Sequence, residues 1–180
     1  LVVGLSKNDA VPPAAWASLT DSDGAPISLT DYAGRRVLLV PEPAHHTGAP
    51  TDSWVRILTD LRDVMGSKRE DVAILAVSPE PAELHAKLRA KYNLKFPLAS
   101  DPERVLMAGL KLWSPNAAQA GAQTDRQTFL INPESGRVEH VWRKVEVTGH
   151  AMAIRDFLDA QSAVSRTDPP PPRRVSWIPE

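Results

Sequence analysis

Two continuous runs of apolar residues stand out along the chain. They cover residues 37–40 (VLLV) and 72–77 (VAILAV). Runs of this kind are typical of strands that are buried on both faces of a sheet. Pro41 follows the first run, and because proline cannot donate to a sheet ladder, that strand is expected to end there.

Helical spacing of apolar residues follows each of these runs. Where apolar positions recur every three or four residues, with charges between them, an amphipathic helix is indicated. Asn93 is the expected end of the second helix, and Asp101-Pro102 is the expected start of the third. The predicted helices cover residues 51–65, 84–92 and 102–110, with a last one capped by Thr148.

Alternating segments and turn residues predict two hairpins. Residues 128–131 and 138–144 are the strands of one, around the loop sequence NPESG. A second is predicted around the turn DSDG, with Trp16 on its first strand and residues 27–29 as its second strand.

The segments between these elements are irregular. Thr30 or Asp31 is the expected cap of one helical turn that Gly34 closes, and residues 114–125 are expected to form a loop. Buried strands alternating with helices, followed by a hairpin and a final helix, predict an α/β three-layer sandwich.

The end of the chain has a different character. Residues 166–180 are predicted to form an extended tail beyond a domain of residues 1–165, because consecutive prolines favour polyproline II and cannot join a helix. A Trp-Ile pair beyond the prolines has nothing local to bury it, which predicts docking to a protein. The residues expected to contact that partner are Pro169, Pro170, Pro171, Pro172, Arg173, Arg174, Trp177 and Ile178.

Composition excludes several functions. The chain has 180 residues, 17 of them proline and none cysteine, so disulfides, thiolate metal sites and cysteine nucleophiles are absent from it. The net charge of -1 offers no positive field for nucleic acid. No apolar run reaches the roughly 18 residues that a membrane span needs.

Several segments, in order, resemble a known family. They are DSDGAPISLTDYAG (21–34), VAILAVSP (72–79), KYNLKFPLASDP (91–102), RQTFLINP (126–133) and VWRKVEVTGH (141–150). Together they resemble the peroxiredoxins, most closely the peroxiredoxin Q or bacterioferritin-comigratory type within the AhpC/TSA-like group. The resemblance runs from about residue 4 to 160. It implies a thioredoxin-like fold, in which a central mixed sheet is flanked by helices.

The resemblance also implies where an active site would lie. The family pattern Pro-x-x-x-Thr-x-x-Cys falls on Pro43, Thr47 and Pro50, its arginine falls on Arg126, and a second cysteine would fall on Val55. Peroxide reduction needs a low-pKa thiolate, which proline cannot supply. The site is therefore expected to be degenerate and the chain to be without peroxidase activity. Natural loss explains this better than an engineered substitution, because neighbouring residues also depart from the pattern.

Histidines in the same loop invite other interpretations. His45 and His46 lie near Asp52 in sequence, but adjacent side chains on an extended loop point in opposite directions, which disfavours a shared metal ion. Ser53 with His46 is a weak candidate for a nucleophile pair. No metal or cofactor is therefore predicted.

Three further residues have structural interpretations. His85 lies among lysines and arginines on a predicted helix and is expected to be exposed. His150 is expected to make a structural hydrogen bond. Trp54 is expected to pack in the core, where it would also fill the pocket that a reactive cysteine needs open.

These features predict a non-catalytic structural or accessory subunit of a larger protein assembly. The alternative is a small-ligand or anion-binding module that reuses Thr47 and Arg126, and a thiol-independent enzyme working through His45 or His46 ranks third. The expected partners are other protein subunits. No nucleic-acid partner and no membrane span are expected, but the sequence is compatible with peripheral association with a membrane complex. Leu1 in place of an initiator methionine fits a cleaved, imported protein, so a chloroplast or mitochondrion is expected.

Overall fold

The computed structural model describes residues 4–42, 51–65, 69–114 and 126–167. Within these ranges the strands and helices follow one another along the chain. The strands are β1 (Arg36–Pro41), β2 (Val72–Ser78), β3 (Leu98–Ser100), β4 (Thr128–Asn132) and β5 (Arg137–Trp142). The helices are α1 (Asp52–Met65), α2 (Ala82–Tyr92), α3 (Val105–Gly109) and α4 (His150–Thr167).

The described strands form one mixed sheet in the order β3-β2-β1-β4-β5. β1, β2 and β3 are parallel, while β4 is antiparallel to both β1 and β5. Leu39 pairs with Phe129 across β1 and β4. This pairing ends there; Glu42 directly follows β1, and Arg126 precedes β4 by two residues.

Side chains from the two faces of the sheet form two separate apolar clusters. Val37 and Leu39 of β1 join the cluster on one face, which the N-terminal segment and α3 cover. Leu38 and Val40 point to the other face, which α1 and α4 cover. Because all four side chains are 2% exposed or less, the prediction of a strand buried on both faces is confirmed.

The thioredoxin-like α/β fold with a mixed central sheet is confirmed, as are α1, β2, α2 and the 128–142 hairpin. Asn93 ends α2 in the left-handed conformation (φ 50°), as expected of a helix C-cap. Of the predicted loop at 114–125 and the predicted tail at 166–180, residues 115–125 and 168–180 lie outside the described residues. Residues 166 and 167 belong to α4 rather than to an extended tail.

Two predictions near the N terminus are wrong. Residues 27–29 do not form a strand; Leu29–Tyr32 is a single 3₁₀ turn instead. Its cap is Ser28, whose hydroxyl accepts from the Thr30 N–H while its own N–H donates to Asp31. Trp16 ends another 3₁₀ turn, Pro13–Ala15, rather than lying on a strand.

α3 is shorter than predicted and begins at Val105. The buried Asp101 carboxylate accepts the N–H groups of Leu106 and Met107 at 3.2 and 3.1 Å. These bonds satisfy donors of the first turn, and Arg104 reaches the helix through the left-handed region (φ 57°). Residues 101–104 therefore form the turn that precedes the helix, and they are not part of it.

The N-terminal segment covers part of the outer edge of β5. The Asn8 N–H donates to the Val138 carbonyl at 2.7 Å, and the Val138 N–H donates to the Asp9 carbonyl at 2.9 Å. The Arg137 guanidinium donates to the Asn8 carbonyl. At the opposite edge, the Ser100 N–H of β3 donates to the Thr20 carbonyl at 2.8 Å.

Candidate functional site

Of the four positions that the family pattern assigns to the site, the structure describes one. Arg126 lies two residues before β4, close to where the sequence places it. Pro43, Thr47 and Pro50 lie outside the described residues, as do His45 and His46. Within the described residues, the site consists of Arg126 and the side chains around it.

Glu42 is the acidic residue whose charge acts on Arg126. It is 4% exposed, and its Oε1 accepts the backbone N–H of Thr51 at 2.6 Å. Burial raises the pKa of Glu42, while the hydrogen bonds from Thr51 and the charge of Arg126 act to lower it. Sequence reasoning missed this residue, although an acid directly after a buried strand was a signal for it.

Arg126 is itself partly buried. Its Nη2 donates to Thr51 Oγ1 at 3.4 Å, and its Nη1 is buried with no acceptor in the described part of the chain. Burial lowers the pKa of Arg126, and the Glu42 charge opposes that shift. The two ionisable groups thus stabilise each other's charged form.

Thr51 joins these groups to the first turn of α1. Its hydroxyl accepts the Trp54 N–H at 3.3 Å, which is the bond that an N-cap side chain makes. The Trp54 indole is fully buried, and its Nε1 donates to the Val40 carbonyl at 3.2 Å. The prediction that Trp54 packs in the core is confirmed.

His150 closes the same end of the sheet from α4. Its Nε2 lies 2.8 Å from Thr128 Oγ1, and the side chain is 6% exposed. Burial first, and the charge of Arg126 second, lower its pKa to about 4. The expected structural hydrogen bond is confirmed, and the ring is neutral at pH 7. Trp142 packs edge-on against it.

His85 is buried rather than exposed, so that prediction is wrong. Its Nε2 lies 2.6 Å from Ser78 Oγ and its Nδ1 lies 3.2 Å from Ser100 Oγ. Desolvation lowers its pKa to about 4. Both serines end strands, so the imidazole joins α2 to β2 and β3.

The other candidates gain no support from the described residues. Within them, no group of three or more His, Asp or Glu side chains is placed to hold a metal ion. Ser53 lies exposed on α1, and its proposed partner His46 is not described. None of the helices of the described ranges has the length and apolar character that crossing a bilayer requires.

Known proteins of one family are similar to this chain. The AhpC/TSA family profile matches residues 10–141. Peroxiredoxin Bcp of Bacillus subtilis is 35% identical over 146 residues, which cover 78% of this chain and 89% of that protein.

Solved structures agree with these sequence matches. Xanthomonas campestris bacterioferritin comigratory protein, solved in work on its alkyl peroxide reduction activity, is 30% identical with a TM-score of 0.68. That match covers 86% of this chain and 99% of the other. A cysteine variant of Xylella fastidiosa PrxQ has a TM-score of 0.72 at 23% identity, covers 88% and 98% of the two chains, and supports the fold alone.

Proposed function

This chain belongs to the AhpC/TSA family, and we propose that it is a member without peroxidase activity that serves as an accessory subunit of a larger protein assembly. The observation that carries the proposal is the absence of cysteine from all 180 residues. Peroxide reduction requires a thiolate that attacks oxygen and a sulfenic acid that a second thiol reduces. Threonine and arginine side chains orient a ligand but supply no electrons.

The packing around α1 supports the same proposal. Trp54 lies in the core at the first turn of α1, and its N–H donates to the Thr51 hydroxyl. Thr51 is in turn hydrogen-bonded to Glu42 and to Arg126. A first turn fixed in this way suits a structural part better than a reactive one. The buried Glu42 carboxyl group also weighs against the alternative of an anion-binding module at Thr47 and Arg126, because it is near enough for its charge to act on the arginine.

The proposed role in an assembly rests on the chain's C-terminal sequence. Residues 168–180 lie outside the described residues, but their proline run followed by Trp177 and Ile178 is the composition of a docking segment. A stiff segment loses little conformational entropy when it binds. The partner is proposed to be another protein subunit. A location in a chloroplast or mitochondrion stays a prediction, and the relatives named above are bacterial.

Two measurements test this function. In a coupled assay with thioredoxin, thioredoxin reductase and hydrogen peroxide, the purified chain should consume no more peroxide than a protein-free control. B. subtilis Bcp serves as the positive control. Turnover above background would overturn the proposal.

The second measurement addresses the assembly. The tagged full chain, purified from its source, should elute in a complex with a stoichiometric partner, and a chain that lacks residues 168–180 should elute at its own mass. Trp177→Ala with Ile178→Ala is the matched variant that keeps the prolines. If all three forms co-purify with the partner equally, the docking role of the tail is wrong.

A further inference from the structure

Three aromatic rings form a cluster between β5, a strand at the edge of the described sheet, and α4. The His140 and Phe157 rings stack with 4.0 Å between their centroids. Trp142 packs edge-on against both, with centroid distances of 4.6 Å to His140 and 5.3 Å to Phe157. All three side chains are only partly buried, so the cluster lies at the margin of the core and presents aromatic surface to solvent.

The surroundings of Phe157 leave this surface open to another segment of chain. Ala153 and Ala160 lie about one turn before and one turn after Phe157 on the same side of α4, and both are exposed. Because their side chains are short, an extended segment can approach the Phe157 ring closely. The Trp142 indole N–H has no acceptor within the described ranges and is not buried, so it adds a hydrogen-bond donor to the same surface.

A polyproline II segment is the kind of ligand that such a surface suits. Proline-rich segments bind surfaces lined with aromatic side chains, where the proline rings pack against the aromatic rings. The carbonyl groups of a polyproline helix have no internal partners, and proline has no N–H, so the segment offers only acceptors to a donor such as the Trp142 indole. This chain carries one segment of that kind, at residues 169–172.

The length of chain between the cluster and these prolines favours docking within one molecule. α4 ends at Thr167, ten residues after Phe157, which is about 15 Å along the helix axis. A polyproline segment advances about 3.1 Å per residue, so the five residues from Thr167 to Pro172 also span about 15 Å. Asp168 precedes a proline, which disfavours helical conformation and ends the helix there. A chain that reverses at Asp168 therefore brings the last proline level with Phe157.

We propose that residues 169–172 dock on the cluster of His140, Trp142 and Phe157 in the same molecule, and leave Trp177 and Ile178 beyond the cluster for the partner. Tethering at Thr167 gives the prolines an effective concentration on the order of millimolar, with which the tail of a second copy or a proline segment of another protein must compete. The inference deepens the proposed docking role of the tail and rests on it for what Trp177 and Ile178 do. The docking of the prolines is measured on the purified chain alone, so the two can fail separately.

The absence of cysteine allows a single spin label to be placed in the tail. Arg173→Cys, directly after the prolines, is coupled to a nitroxide, and the indole N–H signals of the full chain are recorded by NMR before and after the nitroxide is reduced with ascorbate. The Trp142 signal, assigned through its disappearance in Trp142→Phe, should be lost while the nitroxide is oxidised and should return on reduction. Trp16 and Trp113 pack with the core cluster on the other face of the sheet, so their signals should remain in both states.

Variants of the spin-labelled chain separate docking from the proximity that any tethered label has. Serine in place of all four prolines keeps the length of the tail and changes no residue of the domain, and it should restore the Trp142 signal in the oxidised state. Phe157→Ala removes the ring at the centre of the cluster and should restore that signal as well. Met152→Ala is the matched control, because it shortens a side chain that is 44% exposed elsewhere on α4, and the signal should stay lost.

Three outcomes would overturn the inference. The first is an equal Trp142 signal in the oxidised chain with four prolines and in the chain with four serines. The second is a loss of signal when an isotope-labelled chain without nitroxide is mixed with a nitroxide-bearing chain, which assigns the cluster to the tail of a second copy. The third is a Trp142 signal that persists in every sample, which leaves the cluster to a different partner. None of them alters the expected absence of peroxide turnover or the outcome of the co-purification experiment.

Discussion

Two buried histidines should make the stability of this protein fall as the pH drops from about 7 to about 4. His85 and His150 are 0% and 6% exposed, and desolvation lowers the pKa of each from 6.5 to about 4. The unfolded chain therefore takes up protons that the folded chain refuses. The stability that the neutral rings provide is fully present above the unfolded pKa of about 6.5. It is lost as the pH falls from there to the folded pKa of about 4.

The magnitude follows from the shift in pKa. One pKa unit corresponds to about 1.4 kcal/mol, so each histidine should lower the free energy of unfolding by about 2 kcal/mol between about pH 7 and pH 5. Glu42 and Asp101 act with the opposite sign, because burial raises the pKa of each and favours its protonated form in the folded state. Comparing variants with the wild type at the same two pH values removes that contribution.

Urea unfolding followed by circular dichroism is the assay. His85→Gln replaces the imidazole with an amide that can still bond to Ser78 but does not titrate. Between about pH 7 and pH 5, the free energy of unfolding of this variant should decrease by about 2 kcal/mol less than that of the wild type. His140→Gln is the comparison variant: partial burial and then the charge of Lys7 also lower the pKa of that ring, so its effect should have the same sign and be smaller than that of His85→Gln. Equal falls in the wild type and His85→Gln would refute the reasoning.

Two further substitutions test the packing and capping described above. Trp54→Ala removes a fully buried ring and its bond to the Val40 carbonyl, so it should lower the free energy of unfolding by about 3–5 kcal/mol in urea titrations; a loss below about 1 kcal/mol would contradict the packing. Each carboxylate oxygen of Asp101 accepts one N–H, from Leu106 or from Met107. Asp101→Asn replaces one of these oxygens with an NH₂ group, so one of the two N–H groups loses its acceptor. It should cost about 1–2 kcal/mol by the same measurement, and unchanged stability would mean that Asp101 does not hold α3.

The sequence predicts the centre of the sheet well because burial leaves a strong pattern there. The runs at 37–40 and 72–77 are apolar at every position, since both faces of β1 and β2 are covered. Residues 27–29 alternate apolar, polar and apolar over only three positions, but Ser28 forms a capping box with Asp31 and the chain turns there instead. β3 is only three residues long, too short for a period to identify it.

The site was less accessible to sequence reasoning. Arg126 was found through the resemblance, not through its own surroundings. Glu42 carries no local signal beyond its place after an apolar strand, because the groups that act on it, the Thr51 N–H before α1 and the charge of Arg126 before β4, are distant in sequence. The sequence predicts an exposed His85 because its neighbours on the helix are charged. Its burial depends on serines that end two strands, one of them 15 residues away.

The backbone bonds that the N-terminal segment makes with β5 bear on how this protein associates with others. A sheet with a bare edge can pair with a strand of a neighbouring chain, and such pairing is indifferent to the identity of that neighbour. Here Val138 on one edge and Ser100 on the other are already bonded to the chain's own Asn8, Asp9 and Thr20. At those positions the backbone groups already have hydrogen-bond partners within the chain and cannot pair with a neighbouring strand. Recognition of another protein there therefore depends on side chains, which discriminate between partners.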